Sequence, residues 1–148
     1  VLTLRIKDIA HQSIEHHTIE IDHKISDSLC IEGLHDGGCL FVISKNGALE
    51  GLVTDGDIRR ALLKNIDISQ VPIKEVMTTQ FISANEEKSL VEAYQLMVVE
   101  SINHLPVVNS KEVLIEFIAF HELAAHLSPE HLLIDLYVAQ TKVTHVLP

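Results

Sequence analysis

The sequence predicts an α+β protein made of two tandem β-α-β-β-α repeats packed as one pseudo-symmetric module, with a short C-terminal extension. Three observations lead there. Ile6-Lys7-Asp8-Ile9-Ala10 is echoed by Ile73-Lys74-Glu75-Val76-Met77. The apolar runs Cys39–Ile43 and Leu105–Val108 are each followed by a turn and a second apolar run, Leu49–Thr54 and Val113–Ala119. The offset between matching segments drifts little: 67 residues at the opening, 63 at the first helix and 65 at the strands. Such drift fits an old duplication with small loop changes. One repeat, at about 60 residues, buries little core alone, so the two are expected to fold together.

Leu2, Leu4 and Ile6 alternate with Thr3, Arg5 and Lys7, which predicts an opening strand. Short extended stretches are expected around Thr18–Ile21 and Phe81–Ala84. Helical patterns follow over 23–34 and 86–101. Asn85 is placed to cap the second, and Glu86 and Glu87 suit its first turn. Leu90, Ala93, Tyr94 and Met97 give it one buried face. Gly37-Gly38 ends the first helix and turns the chain into its strand. Asn46-Gly47 between apolar runs marks a hairpin. Final helices are expected to begin near Asp57 and Glu122. The divisions are 1–68 for the first repeat with its opening strand, 69–126 for the second, and 127–148 for the extension. In the extension, Ser128-Pro129-Glu130 reads as a helix start.

Composition narrows function. Apolar residues make up 47% and charged residues 22%, an ordinary globular balance. The longest apolar run is five residues, far short of the ~20 that a membrane-spanning helix needs. With 21 Asp and Glu against 11 Lys and Arg, the formal charge of −10 repels phosphate backbones and argues against general nucleic-acid binding. Ten histidines would reduce that charge near pH 6. Two cysteines without a CxxC pair fit a reducing, cytoplasmic setting and no zinc-thiolate site. The chain opens at Val1 without an initiator Met, which reads as a piece of a longer protein.

The chemistry concentrates in Gly51-Leu52-Val53-Thr54-Asp55-Gly56-Asp57-Ile58-Arg59-Arg60. A strand is expected to end at Thr54, a turn to contain Gly56, and a helix to start at Asp57. A carboxylate can accept both hydrogen bonds of a ribose diol, and a hydroxyl three residues earlier can reach sugar or phosphate. Gly56 allows close backbone approach. A helix N-terminus with Arg59 or Arg60 favours an anion. The plain alternative is that Asp57 only caps its helix and the arginines are solvated.

Together with His104-Leu105-Pro106-Val107-Val108, these motifs resemble the CBS domain pair over about residues 5–126. The resemblance implies a non-catalytic regulatory module that binds an adenosyl or cytidyl nucleotide, or a nucleotide-sugar, in a cleft between repeats. It requires no cofactor, metal, nucleic acid or membrane. The family's Thr/Ser-x-x-Asp ribose signature matches Thr54 and Asp57, with Gly56 and Arg60 beside them. Ile19 and Phe41 would wall the base, and His104 would stand at the cleft. The aligned second-repeat positions are Ala119 and Glu122, so one competent site is expected.

Leu2–His11, Thr54–Arg60 and Phe120–Ala125 are further similar to the C-terminal CBS pair of arabinose-5-phosphate isomerases of the Kdo and lipopolysaccharide pathway. There a covalently linked sugar-isomerase domain supplies catalysis, and a homodimer is implied. The alternatives are the CBS pair of a sugar-nucleotide nucleotidyltransferase, and a purely structural dimerisation element. No nucleophile-base arrangement, phosphate loop or metal cluster is visible. His121 and His126 are five apart, about 140° around a helix, which does not suit a shared metal ion. His16, His17 and His23 read as loop and surface residues, and Cys30 and Cys39 as core.

Overall fold

A computed structural model of the chain describes residues 4–9, 13–35 and 37–127. Their elements run β1 (Thr18–Glu20), α1 (Ile25–Ser28), α2 (Glu32–His35), β2 (Cys39–Ile43), β3 (Leu49–Thr54), α3 (Asp55–Leu63), α4 (Leu90–Glu100), β4 (His104–Val108), β5 (Leu114–Ala119) and α5 (Phe120–Ala125). The mixed α+β class is the one the sequence predicts. The expected helix of the 127–148 extension lies outside the described residues beyond Leu127.

The described residues form two compact units. One gathers 13–35, 37–82 and 108–116. Its sheet has the order β1-β2-β3, with β1 parallel and β3 antiparallel to β2. The tight turn at Gly47 (φ 85°) joins β2 to β3, as Asn46-Gly47 requires. Ile19, Leu40, Val42 and Val53 face one way and join Ile25, Leu34, Ile58 and Ile73 in a buried core. Gly51 lies where the backbone of Thr78 pairs with Leu52; a Cβ there would stand 2.7 Å from Met77 Sδ and 2.9 Å from the Thr78 carbonyl oxygen.

The other unit gathers 4–9, 83–107 and 117–127. Leu90, Ala93, Tyr94 and Met97, the predicted face of α4, are all buried. Tyr94 stacks on Phe120 at 5.1 Å. The opening segment belongs here through backbone bonds from Ile6 N to Lys88 O (2.9 Å) and from Leu90 N to Leu4 O (2.9 Å). Glu87 accepts bonds from Lys7 and Arg5, which hold its carboxyl below the usual range.

Several local expectations change. The extended stretch expected at Phe81–Ala84 is a single bridge, Ala84 to Val107. Of the expected opening strand, Leu2 and Thr3 lie outside the described residues; among those described, Arg5 makes a single bridge to Ser89 and Ile6–Asp8 is a 3-10 turn. Asp8 draws the chain into that turn by accepting the Arg5 amide at 2.9 Å. Ile73–Glu75 makes the same turn, and Ile6 and Ile73 are both fully buried. The helix expected over 23–34 is two short pieces, because the Gly33 amide donates to His16 O (2.7 Å) outside the helix. A Cβ on Gly33 would lie 2.4 Å from that oxygen. Asn85 accepts the Glu87 amide in a local turn, and the cap of α4 is Ser89, whose hydroxyl accepts the Glu92 amide. Finally, α3 and α5 begin two residues earlier than expected, directly after their strands.

Candidate functional site

β2 and β3 position the site by their register. Cys39 pairs with Thr54, Leu40 with Val53 and Phe41 with Leu52. Cross-strand partners share a face and neighbours along a strand alternate. Val53 faces the core, so Thr54, Cys39 and Phe41 share the opposite face. Ile19 pairs with Val42 and lies in the core layer. Phe41 and Ile19 are therefore on different faces of the sheet. The expectation that both side chains wall one base is corrected: a two-residue period puts them on opposite faces, and both are buried (Phe41 1% and Ile19 4% exposed).

The chain passes from β3 into α3 without an intervening turn, and Thr54 is the helix cap. Its hydroxyl accepts the Asp57 amide at 3.3 Å. Asp57 Oδ2 in return accepts the Thr54 amide at 2.9 Å and the Thr54 hydroxyl at 3.1 Å. This is a reciprocal capping box with Asp in the third helical position. Asp57 is thus not the cap itself, and Gly56 sits in the first helical turn. Arg60, one turn on, donates to Asp57 Oδ1 at 2.6 Å. The Asp57 side chain is 12% exposed and that of Arg60 63%. A Cβ on Gly56 would lie 3.2 Å from Arg60 Nη1, so glycine leaves room for the guanidinium.

Cys30, read from the sequence as core, is exposed, whereas Cys39, read the same way, is partly buried and pairs with Thr54. Burial, and then the nearby Asp57 charge, push its thiol up to about 11. Only strand register puts Cys39 beside Thr54, and no local motif signals it. Next to it, the carbonyl of Gly38 accepts the Asp55 amide at 3.1 Å, with Gly38 in a left-handed conformation (φ 71°).

The structure therefore joins Thr54, Gly56, Asp57 and Arg60, with Phe41 on the same sheet face. His104 belongs to the other unit, on β4, where its ring meets Phe117 at 5.7 Å. At the matching junction, Ala119 occupies the cap position of α5 without a side-chain bond, and Glu122 is the third helical residue. Elsewhere, donor atoms of Glu20, Asp22 and His23 fall within 4.8 Å of one another on an exposed turn. Three solvent-facing side chains form no enclosed shell for an ion.

The CBS domain model matches residues 6–64 and 73–128. This chain belongs to the CBS-domain family and carries two copies of its repeat. It is 31% identical over 109 residues to the CBS domain-containing protein YhcV of Bacillus subtilis, covering 74% of this chain and 76% of that protein. It is 30% identical over 122 residues to the arabinose 5-phosphate isomerase KdsD of Pseudomonas aeruginosa, covering 82% of this chain and 37% of the isomerase. The chain thus spans little more than a third of that enzyme. The crystal structure of CBSX2 in complex with AMP has a similar fold, with TM-score 0.67 and 21% identity over 82% of this chain and 94% of that one. No helix among the described residues is long and apolar enough to cross a membrane.

Proposed function

We propose that this chain is a regulatory module that binds a nucleotide or nucleotide-sugar through its first repeat, without itself catalysing a reaction. The observation that carries this reading is the Thr54–Asp57–Arg60 constellation. A hydroxyl, a carboxylate and a guanidinium converge where a strand feeds a nine-residue helix. Asp57 is the anchor for a ribose diol and Thr54 positions it. Gly56 lets the ligand approach the first turn, and Arg60 with the helix N-terminus draws phosphate. Phe41 lies on the same sheet face but is fully buried, so it supports the site from behind rather than offering surface to a ligand. His104 is not needed for this assignment. AMP bound to the similarly folded CBSX2 supports an adenosyl ligand; a cytidyl one fits the same sugar chemistry.

The likeness to KdsD supports a parent that is an arabinose 5-phosphate isomerase; in this reading the parent is a cytoplasmic homodimer with the pair linked to its catalytic domain. A ligand then regulates that domain only through unequal affinity for two states of the module. YhcV, matched over most of its own length, supports the other arrangement, a CBS pair without such a domain.

Thermal-shift titrations of the chain against AMP, ADP, ATP, S-adenosylmethionine, CMP and CMP-sugars test the binding. A ligand at 100 times its dissociation constant adds about 2.7 kcal/mol to stability. A selective shift that disappears in Asp57→Ala establishes the site. No shift across the panel, with the chain folded, leaves a structural dimerisation element.

A further inference from the structure

We infer that Arg60 is a charge gate on Asp57: it closes the carboxylate to uncharged sugars, and a ligand carrying its own anionic group opens it. The inference rests on the nucleotide-binding reading above and adds a rule of selection to it. Both oxygens of Asp57 are engaged. Oδ2 accepts the amide and hydroxyl of Thr54, which fills its two lone-pair directions. Oδ1 is held by Arg60 at 2.6 Å, a short charge-assisted bond. One acceptor direction on Oδ1 remains, so a sugar diol that donates two hydrogen bonds must displace either the Thr54 hydroxyl or the guanidinium, and the hydroxyl is tied into the helix cap whereas Arg60 is exposed.

The consequences differ with ligand charge. Arg60 is the exposed member of the pair and Asp57 the sheltered one, so it is the arginine that moves. Gly56 presents no side chain to obstruct the guanidinium as it leaves. An uncharged nucleoside returns Arg60 to water and loses the ion pair. A phosphate monoester offers Arg60 a replacement partner, so the pair is exchanged rather than lost. The chain's formal charge of −10 disfavours anions in general, which makes a local cation that becomes available only on binding more consequential. The exchange couples recognition of sugar and of phosphate through one side chain.

Calorimetric titration of the 148-residue chain with two matched pairs, AMP with adenosine and CMP with cytidine, tests the gate at fixed ionic strength. Removing Arg60 by Arg60→Ala should move the members of a pair in opposite directions. The monophosphate weakens about ten-fold and the nucleoside tightens about two- to five-fold, the size expected for a partly exposed ion pair. If Arg60→Ala weakens both members alike, or changes neither, while Asp57→Ala still abolishes binding, the gate is wrong and the nucleotide site stands. If neither pair binds to the wild-type chain or to Arg60→Ala, the nucleotide reading falls and takes the gate with it.

Discussion

The two strand-to-helix junctions, at Thr54 and at Ala119, stand 65 residues apart at equivalent places in the two repeats. In the first, a hydroxyl at the cap and a carboxylate at the third helical position satisfy each other's backbone amides, and an arginine completes the set. In the second, the cap is an alanine and the third residue a glutamate. The Ala119 cap makes no side-chain hydrogen bond, and α5 spans six residues against nine in α3. The same backbone route is thus kept after its polar chemistry is gone. Strand pairing and core burial set the route, whereas the polar cluster of Thr54, Asp57 and Arg60 depends on side chains that the route does not require.

The largest expected difference between the junctions is in ligand affinity. If Asp57 accepts the ribose diol as proposed, Asp57→Ala should raise the dissociation constant for a bound nucleotide about 100-fold, or ~2.7 kcal/mol, the worth of one or two hydrogen bonds to a charged group. Glu122→Ala should change it less than about two-fold, a span within the usual range for substitutions away from a site. Calorimetry on the two variants side by side measures both. Equal losses would break the asymmetry and make the second junction a site in its own right.

Stability gives the next contrast. Gly51 on β3 corresponds to Glu116 on β5. The first strand accepts no Cβ there, since one would press on Met77 Sδ and the Thr78 carbonyl oxygen. The second carries a full side chain. Gly51→Ala should cost about 2 kcal/mol through overpacking against backbone, read as a lower urea midpoint at unchanged slope. A smaller cost would mean that the Leu52–Thr78 bridge gives way without loss.

Restoring the missing cap sharpens the comparison further. Thr54→Ala should lower stability by about 1 kcal/mol, the usual cost of losing a cap. Ala119→Ser adds a hydroxyl at a cap position that makes no side-chain bond and should raise stability by about 0.5 kcal/mol, less than a full cap because Ala119 is only 4% exposed and the hydroxyl must fit. Urea denaturation of both variants checks the pair of signs.

Much of this asymmetry was legible in the chain itself. Thr54 and Asp57 at a three-residue spacing, and their replacement by Ala119 and Glu122, are visible without coordinates. So are β2, β3 and the hairpin at Asn46-Gly47, because alternation and turn chemistry act locally. What was not legible depends on contacts between distant segments. Gly33 breaks its helix because its amide is drawn to His16, and the Arg5 bridge depends on Ser89. Ser89 displaces Asn85 as the cap because the chain between them makes a turn of its own. The Arg60–Asp57 pair has the spacing of a helical turn, but its hold on the site is a matter of geometry. Cys39 joined the site only through its register with Thr54.

Cys39 offers the smallest and most local probe of the charge at that junction. Its thiol is raised from 9.0 to about 11, first by burial and then by the Asp57 carboxylate. The fold therefore favours the protonated thiol. Its contribution to stability is complete below pH 9 and lost as pH rises from 9 towards 11, where the unfolded chain ionises first. Asp57→Asn removes the second cause and leaves the first. The Cys39 pKa should then fall but stay above 9.0, and alkylation at pH 9 should quicken modestly in the folded chain. Mass spectrometry distinguishes Cys39 from the exposed Cys30, whose rate serves as the internal reference. The matching position in the second repeat is His104, so no thiol there can report on Glu122. An unchanged Cys39 rate in Asp57→Asn would mean that the carboxylate's field does not reach β2. A faster one would show that its charge is felt across the same strand pair that holds Thr54.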